Sequence, residues 1–164
     1  MLVLAVAPQG KQMAQEAPQL LSRSLLRQPC VNTGRGNWGI EEEDVSVGKA
    51  LYTSRLYLGP GDRSAAAITC KIQPNRAGVI FQTLNLAFGM RDNDQGSPSA
   101  TVNVYLDGVK AESRTVSPGS LAAVTLDVTN TKNVTLEATC SGRYCDRVYI
   151  WNADLGYAPI PKKP

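Results

Sequence analysis

Across the second half of the chain, apolar and polar side chains alternate. Val102, Val104 and Leu106 alternate with Thr101, Asn103 and Tyr105. Val124, Leu126 and Val128 alternate with Thr125 and Asp127, and Val134, Leu136, Ala138 and Cys140 with Thr135, Glu137 and Thr139. Val148 and Ile150 alternate with Tyr149 and Trp151, and Ile80, Leu84, Leu86 and Phe88 read as one face of a further extended run that includes Gln82. Side chains of a strand point to opposite faces in turn, so each run predicts a strand with one face in a core. Turn residues separate the runs. Gly59-Pro60-Gly61-Asp62 follows a strand near residues 51–58, Asp107-Gly108 reads as a tight hairpin, and Pro118-Gly119 and Asn130-Thr131-Lys132-Asn133 mark two further reversals. No helical stretch lies between them, which predicts an all-β sandwich or barrel.

The first 36 residues lack this alternation. Gln, Ala, Ser, Pro and Arg dominate residues 8–36, and Pro18 interrupts any long helix. Leu20-Leu21 and Leu25-Leu26 form a short apolar face suited to docking on the body or on another chain. Met1 to Ala7 is apolar and ends in an Ala-x-Ala pattern, but it lacks the basic start and the length of a secretory signal, so it reads as a signal remnant or an ordered strand. The predicted organisation is a partly flexible leader over 1–36, a sandwich over 37–157 and a flexible tail over 158–164. No run approaches the roughly 20 apolar residues needed to span a membrane.

Composition narrows the chemistry. The 164 residues suit one domain, and the chain has no histidine. That removes the commonest general base near neutral pH and the commonest metal ligand, and with them Ser-His-Asp and Cys-His catalysis. Lys plus Arg number 17 and Asp plus Glu 14, a net charge of +3. The basic residues are scattered rather than grouped with aromatics, so no nucleic-acid partner is expected. The cysteines are Cys30, Cys70, Cys140 and Cys145. Four cysteines allow three disulfide pairings. A Cys140–Cys145 bridge would close the loop Ser141-Gly142-Arg143-Tyr144 at a strand end, and Cys30–Cys70 would then tie the N-terminal region to the body. Disulfides fit a secreted, extracellular or periplasmic protein.

Several short segments, taken in order, resemble the NPCBM group of carbohydrate-binding domains often attached to bacterial glycoside hydrolases. These are Asn37-Trp38-Gly39-Ile40-Glu41 with Asp44 and Val45-Ser46-Val47-Gly48; Phe81 to Leu84 and Phe88-Gly89-Met90-Arg91-Asp92; and Ala100 to Gly108 with its Asp-Gly hairpin. Leu126 to Thr129, Val134 to Ala138, and Val148 to Leu155 with its closing Trp complete the set. The resemblance implies an antiparallel jelly-roll β-sandwich of the galactose-binding-like type. The histidines usual in that group are missing: the second-strand region reads Leu51-Tyr52-Thr53-Ser54-Arg55-Leu56, and Cys145-Asp146-Arg147 precedes the closing strand. The fold inference survives this departure, and the transfer of a sugar site is weakened by it.

Candidate binding residues follow from the chemistry of sugars. Pyranose C–H faces stack on flat aromatic rings, while carboxylates, amides and guanidinium groups bind hydroxyls. Trp38 is read as lying in a Gly-flanked loop, whereas Trp151 lies within a strand, opposite Val148 and Ile150, where the resemblance suggests a packing role. The loop Arg91-Asp92-Asn93-Asp94-Gln95-Gly96 offers Arg91, Asp92 and Asp94. The loop between Cys140 and Cys145 would present a rigid Arg143 and Tyr144, losing little entropy on binding. No cofactor is required. By analogy with galactose-binding-like sandwiches, a structural calcium would use Asp44 and Asp154. The expected function is a non-catalytic, secreted carbohydrate-binding-like module that recognises a glycan through loops at one end of the sandwich. The alternative is a structural or protein-interaction sandwich subunit of an extracellular assembly.

Overall fold

The computed structural model describes residues 20–75 and 78–159. The signal remnant expected over residues 1–7 and the last part of the expected tail, 160–164, lie outside the described residues. Among the described residues eleven strands form: β1 (Leu21–Ser24), β2 (Cys30–Asn32), β3 (Asn37–Val47), β4 (Ala50–Gly59), β5 (Ala66–Lys71), β6 (Phe81–Gly89), β7 (Ala100–Leu106), β8 (Val109–Val116), β9 (Leu121–Asp127), β10 (Asn133–Cys140) and β11 (Val148–Tyr157). A 3-10 turn, Leu25–Arg27, joins β1 to β2. One sheet has the order β3-β4-β11-β6-β9, with β1 pairing β11 beyond the end of β4, and the other has the order β2-β5-β10-β7-β8. Every strand ladder is antiparallel. The architecture is the expected antiparallel β-sandwich.

The alternating residues build its core. Val102, Val104, Val134, Leu136 and Ala138 from one sheet meet Leu56, Leu58, Leu84, Leu86, Phe88, Val148 and Ile150 from the other, all of them buried. The Asp107-Gly108 turn is as predicted. Both residues have positive φ, 50° and 81°, as a two-residue hairpin matching the strand twist requires.

Two expectations are corrected. Residues 21–32, read from sequence as part of a leader, belong to the sandwich: β1 pairs with β11, β2 pairs with β5, and Leu25 is a fully buried member of the core. Cys30 and Cys70 sit opposite each other in the β2–β5 ladder and are disulfide-bonded. In addition, Ile80 does not share the core face of β6. It precedes the strand and is exposed, while Phe81 is buried instead. The cause is a bulge: Thr83 pairs with Gly156 and Phe81 with Tyr157, leaving Gln82 as an extra residue that reverses the alternation.

The β3–β4 hairpin does more than extend a sheet edge. β4 pairs with β11 only from Leu56 to Leu58, and β3 carries a bulge between Ile40 and Glu43. Beyond these points the hairpin lies across the outer face of the sheet. Val45 and Val47 cover Tyr149 there, and Tyr52 stacks on Trp151 with ring centroids 4.2 Å apart. This explains why Tyr149 is buried although it points away from the main core. Gly89 lies below the hairpin, where a Cβ would stand 2.5 Å from the Ser120 carbonyl oxygen and 3.1 Å from Val47 Cγ1, so no larger residue fits without displacement.

Candidate functional site

Five connections gather at the end of the sandwich where β4, β6 and β10 finish: residues 33–36, 60–65, 90–99, 117–120 and 141–147. Backbone bonds knit them in pairs. The Gly36 amide donates to the Ala65 carbonyl at 2.8 Å, the Ser141 amide to the Ser99 carbonyl at 3.0 Å, and Gly61 bridges to Tyr144. The Asp146 amide donates to Ser97 Oγ at 2.8 Å. The loops are thus fixed relative to one another, which lowers the ordering cost of binding.

This end receives Arg91, Asp92, Asp94, Arg143 and Tyr144, with Trp38 at the start of β3, yet these residues differ in availability. Arg91 Nε and Nη2 donate to the two carboxylate oxygens of buried Asp146 at 2.8 and 3.2 Å. The hydrogen bond with Asp146 raises the Arg91 pKa, and its guanidinium carbon lies 5.7 Å from the Tyr149 ring centroid. Burial in turn pushes the Tyr149 hydroxyl pKa up.

Asp92 is the tie of the hairpin tip. Its carboxylate accepts from Ser46 Oγ at 2.6 Å, the Gly48 amide at 2.8 Å and the Lys49 amide at 3.0 Å. Arg91 and Asp92 thus both make hydrogen bonds within the protein that tie the loops and the hairpin tip together. The Ser46 hydroxyl first, then the Lys49 amide, hold the Asp92 carboxyl below the ordinary aspartate range. Its contribution to stability is complete above about pH 4 and fades as pH falls through its lowered folded-state value. Urea midpoints followed from about pH 5 down to about pH 2 are expected to fall less steeply for Asp92→Asn than for the natural protein. Equal slopes would show that this carboxylate does not hold the tip.

Trp38 is half-buried against the core, and its Nε1 donates to Asn32 Oδ1 at 3.1 Å, so only part of the indole faces solvent. Asp94 is half-buried, and its carbonyl accepts from the Ser97 amide at 3.1 Å. Arg143 is exposed and Tyr144 is 75% exposed, inside a loop closed by the Cys140–Cys145 disulfide. Asp44 lies on β3 and Asp154 on β11, where it pairs with Ser24 and Asn85. Asp44 accepts from Thr53 Oγ1 at 2.8 Å, and β4 lies between its strand and that of Asp154. No group of three or more acidic or cysteine side chains that could hold a metal ion occurs among the described residues.

The sequence reading missed Arg147 and Tyr57. The Arg147 guanidinium carbon stands 3.8 Å over the Tyr57 ring centroid. A Cβ at Gly39, the residue paired with Tyr57, would fall 2.7 Å from that ring, so only glycine leaves room for the ring there. Stacking fixes the planar fork of exposed Arg147 while leaving its N–H donors available. The available signal was positional: Arg147 directly follows Asp146 at the entry to β11.

Solved structures with a similar arrangement of strands include carbohydrate-binding modules. CBM51 from Clostridium perfringens GH95, in complex with methyl-galactose, matches with a TM-score of 0.63 at 14% identity, over 82% of this chain and 99% of that one. The fold is shared with carbohydrate-binding modules. CBM51-2 with INT domains from Clostridium perfringens ZmpB matches with a TM-score of 0.64 at 14% identity over 84% of this chain, which spans 32% of that longer one. The same module in complex with GlcNAc gives a TM-score of 0.61 at 13% identity, over 85% of this chain and 32% of the other. At these identities the likeness is one of fold. No family model and no curated protein matches the chain.

Proposed function

We propose that this protein is a non-catalytic carbohydrate-binding module of the NPCBM kind whose neutral sugar ligand docks at the loop end of the sandwich. The observation that carries the reading is the pairing of an exposed Tyr144, clamped in the loop between Cys140 and Cys145, with two accessible guanidinium groups, Arg143 and Arg147. The Tyr144 ring supplies a stacking face, the arginines donate to hydroxyls, and Asp94 supplies a carboxylate acceptor two residues beyond Asp92. The exposed part of Trp38 borders this end. Sugar binding of this kind breaks no bond and needs no acid or base. The modules of similar fold that hold methyl-galactose and GlcNAc make those two sugars the first ligands to try. Two disulfides fit folding in an oxidising compartment, which supports secretion or a periplasmic location.

Calorimetric titration with methyl-galactoside, GlcNAc and a panel of neutral oligosaccharides tests the reading. Binding is expected, and Tyr144→Ala combined with Arg147→Ala is expected to weaken it about tenfold or more. Absence of binding across a broad glycan array, or binding indifferent to that double substitution, overturns the loop-end reading.

A further inference from the structure

A second feature lies away from the loop end. Along one edge of β11 the partner strand changes: β4 pairs with it up to Ile150, and β1 takes over at Asp154. Between them Trp151, Asn152 and Ala153 have no strand partner on that edge, and a bulge falls at this point of the β6 ladder. The gap opens into a groove of about 770 Å³ whose walls carry Arg23 and Arg27 on one side and Arg55 on the other. A second groove of about 610 Å³ adjoins it, sharing Arg23 and Arg27 and adding Lys71.

Four cationic side chains thus line one continuous track. The two ion pairs among the described residues are Arg91–Asp146 and Arg114–Glu112, so none of these four has a carboxylate partner there. Unpaired guanidinium groups placed along a concave path focus positive potential and bind carboxylate or sulfate groups through charge-assisted hydrogen bonds. The floor of the first groove is of another character. It carries Asp154, the Asn152 amide and the part of Trp151 left uncovered by Tyr52. The Asn152 side-chain oxygen is a buried acceptor with no hydrogen-bond partner. A carboxylate and an amide beside an aromatic ring suit hydroxyls and sugar C–H faces.

The geometry points to a second binding site here, for an extended acidic polysaccharide whose carboxylate or sulfate groups meet Arg23, Arg27, Arg55 and Lys71 while its hydroxyls meet Asn152 and Asp154. A single-stranded DNA has the charge for this track but no free hydroxyls along its backbone to meet Asn152 and Asp154, whereas every unit of an acidic polysaccharide presents hydroxyls. This site shares no residue with the loop end, and either can fail without the other.

Affinity electrophoresis of the full chain separates these outcomes, with polygalacturonate as the carboxylate polymer, dextran sulfate as the sulfate polymer, dextran as the neutral control and oligothymidylate as the nucleic acid. Retardation by at least one acidic polysaccharide and none by dextran is expected, weakening as salt is raised. Arg23→Gln with Arg55→Gln should reduce that retardation about tenfold in dissociation constant. Tyr144→Ala with Arg147→Ala should leave it unchanged. A thermal unfolding midpoint kept within about 3 °C would show that the groove variant is folded. If it is not folded, Lys71→Gln alone, at an exposed position in the second groove, serves as the groove variant. The proposal is overturned if neither acidic polysaccharide is retarded, if groove and loop variants lose binding equally, or if oligothymidylate is retarded as strongly as the acidic polysaccharides.

Discussion

A protein that begins at Asn37 is expected to show no cooperative unfolding transition, whereas one that begins at Leu20 keeps it. Starting at Asn37 removes two strands, a fully buried core residue and one half of a disulfide. Leu25 alone is worth about 2–5 kcal/mol when truncated to alanine at a buried site. Loss of a native disulfide in a small secreted domain costs a further 2–5 kcal/mol or so. Against a total stability of about 5–15 kcal/mol for a domain, those two losses can consume the whole margin. Removing β2 also uncovers the β5 edge, whose residues Ala66, Ile68 and Cys70 are buried, and a bared strand edge invites aggregation. Urea unfolding followed by tryptophan fluorescence measures this directly, with Leu25→Ala as the milder companion. A cooperative transition in the protein lacking residues 1–36 would return residues 21–32 to the status of a dispensable arm.

That segment also shows where sequence reading stops. β7, β9 and β10 were legible because each is a half-buried strand with a clean alternation, and Asp107-Gly108 was legible because two adjacent positive φ values demand those residue types. β1 and β2 are four and three residues long. Segments that short carry no readable period, and their pairing with β11 and β5 is a long-range event. Gln82 shows a different limit: one bulged residue reverses the face of everything before it, so Ile80 was assigned to the core in place of Phe81. The site was harder still. Chain position placed Arg91, Asp92, Arg143 and Tyr144 on loops, but not the partners that occupy the first two. Asp92 reaches back 46 residues to Ser46, and Arg91 reaches forward 55 to Asp146. The cationic groove gathers Arg23, Arg27 and Arg55 from segments that pair with different parts of β11 or lie between them, so its charge looked scattered along the chain.

The second large effect concerns the Arg91–Asp146 pair, and its two halves are expected to behave unequally. Asp146 is nearly inaccessible, with 7% of its side chain exposed, while Arg91 keeps 33%. Arg91→Met strands a buried carboxylate that has lost both of its guanidinium bonds, and breaking a buried pair in this way costs about 3–5 kcal/mol. The partial exposure of Arg91 places the expected cost near about 3 kcal/mol. Asp146→Leu leaves instead a long, flexible cation that can swing toward water while the introduced isobutyl group fills the space, so its cost should be about 1 kcal/mol. The double substitution should cost less than the sum of the two, because the uncompensated charge is gone from both sides. Urea midpoints of the four proteins give the cycle, and an Asp146→Leu cost equal to that of Arg91→Met would contradict the unequal burial on which the argument rests. The pair also bears on recognition. Asp146 is the neighbour of Arg147, and its amide is held by Ser97 across the two loops. Arg91→Met is therefore expected to weaken neutral-sugar binding at the loop end beyond its effect on stability. Retardation by an acidic polysaccharide at the proposed groove of Arg23 and Arg55, between β4 and β1, should be unaffected while the protein remains folded.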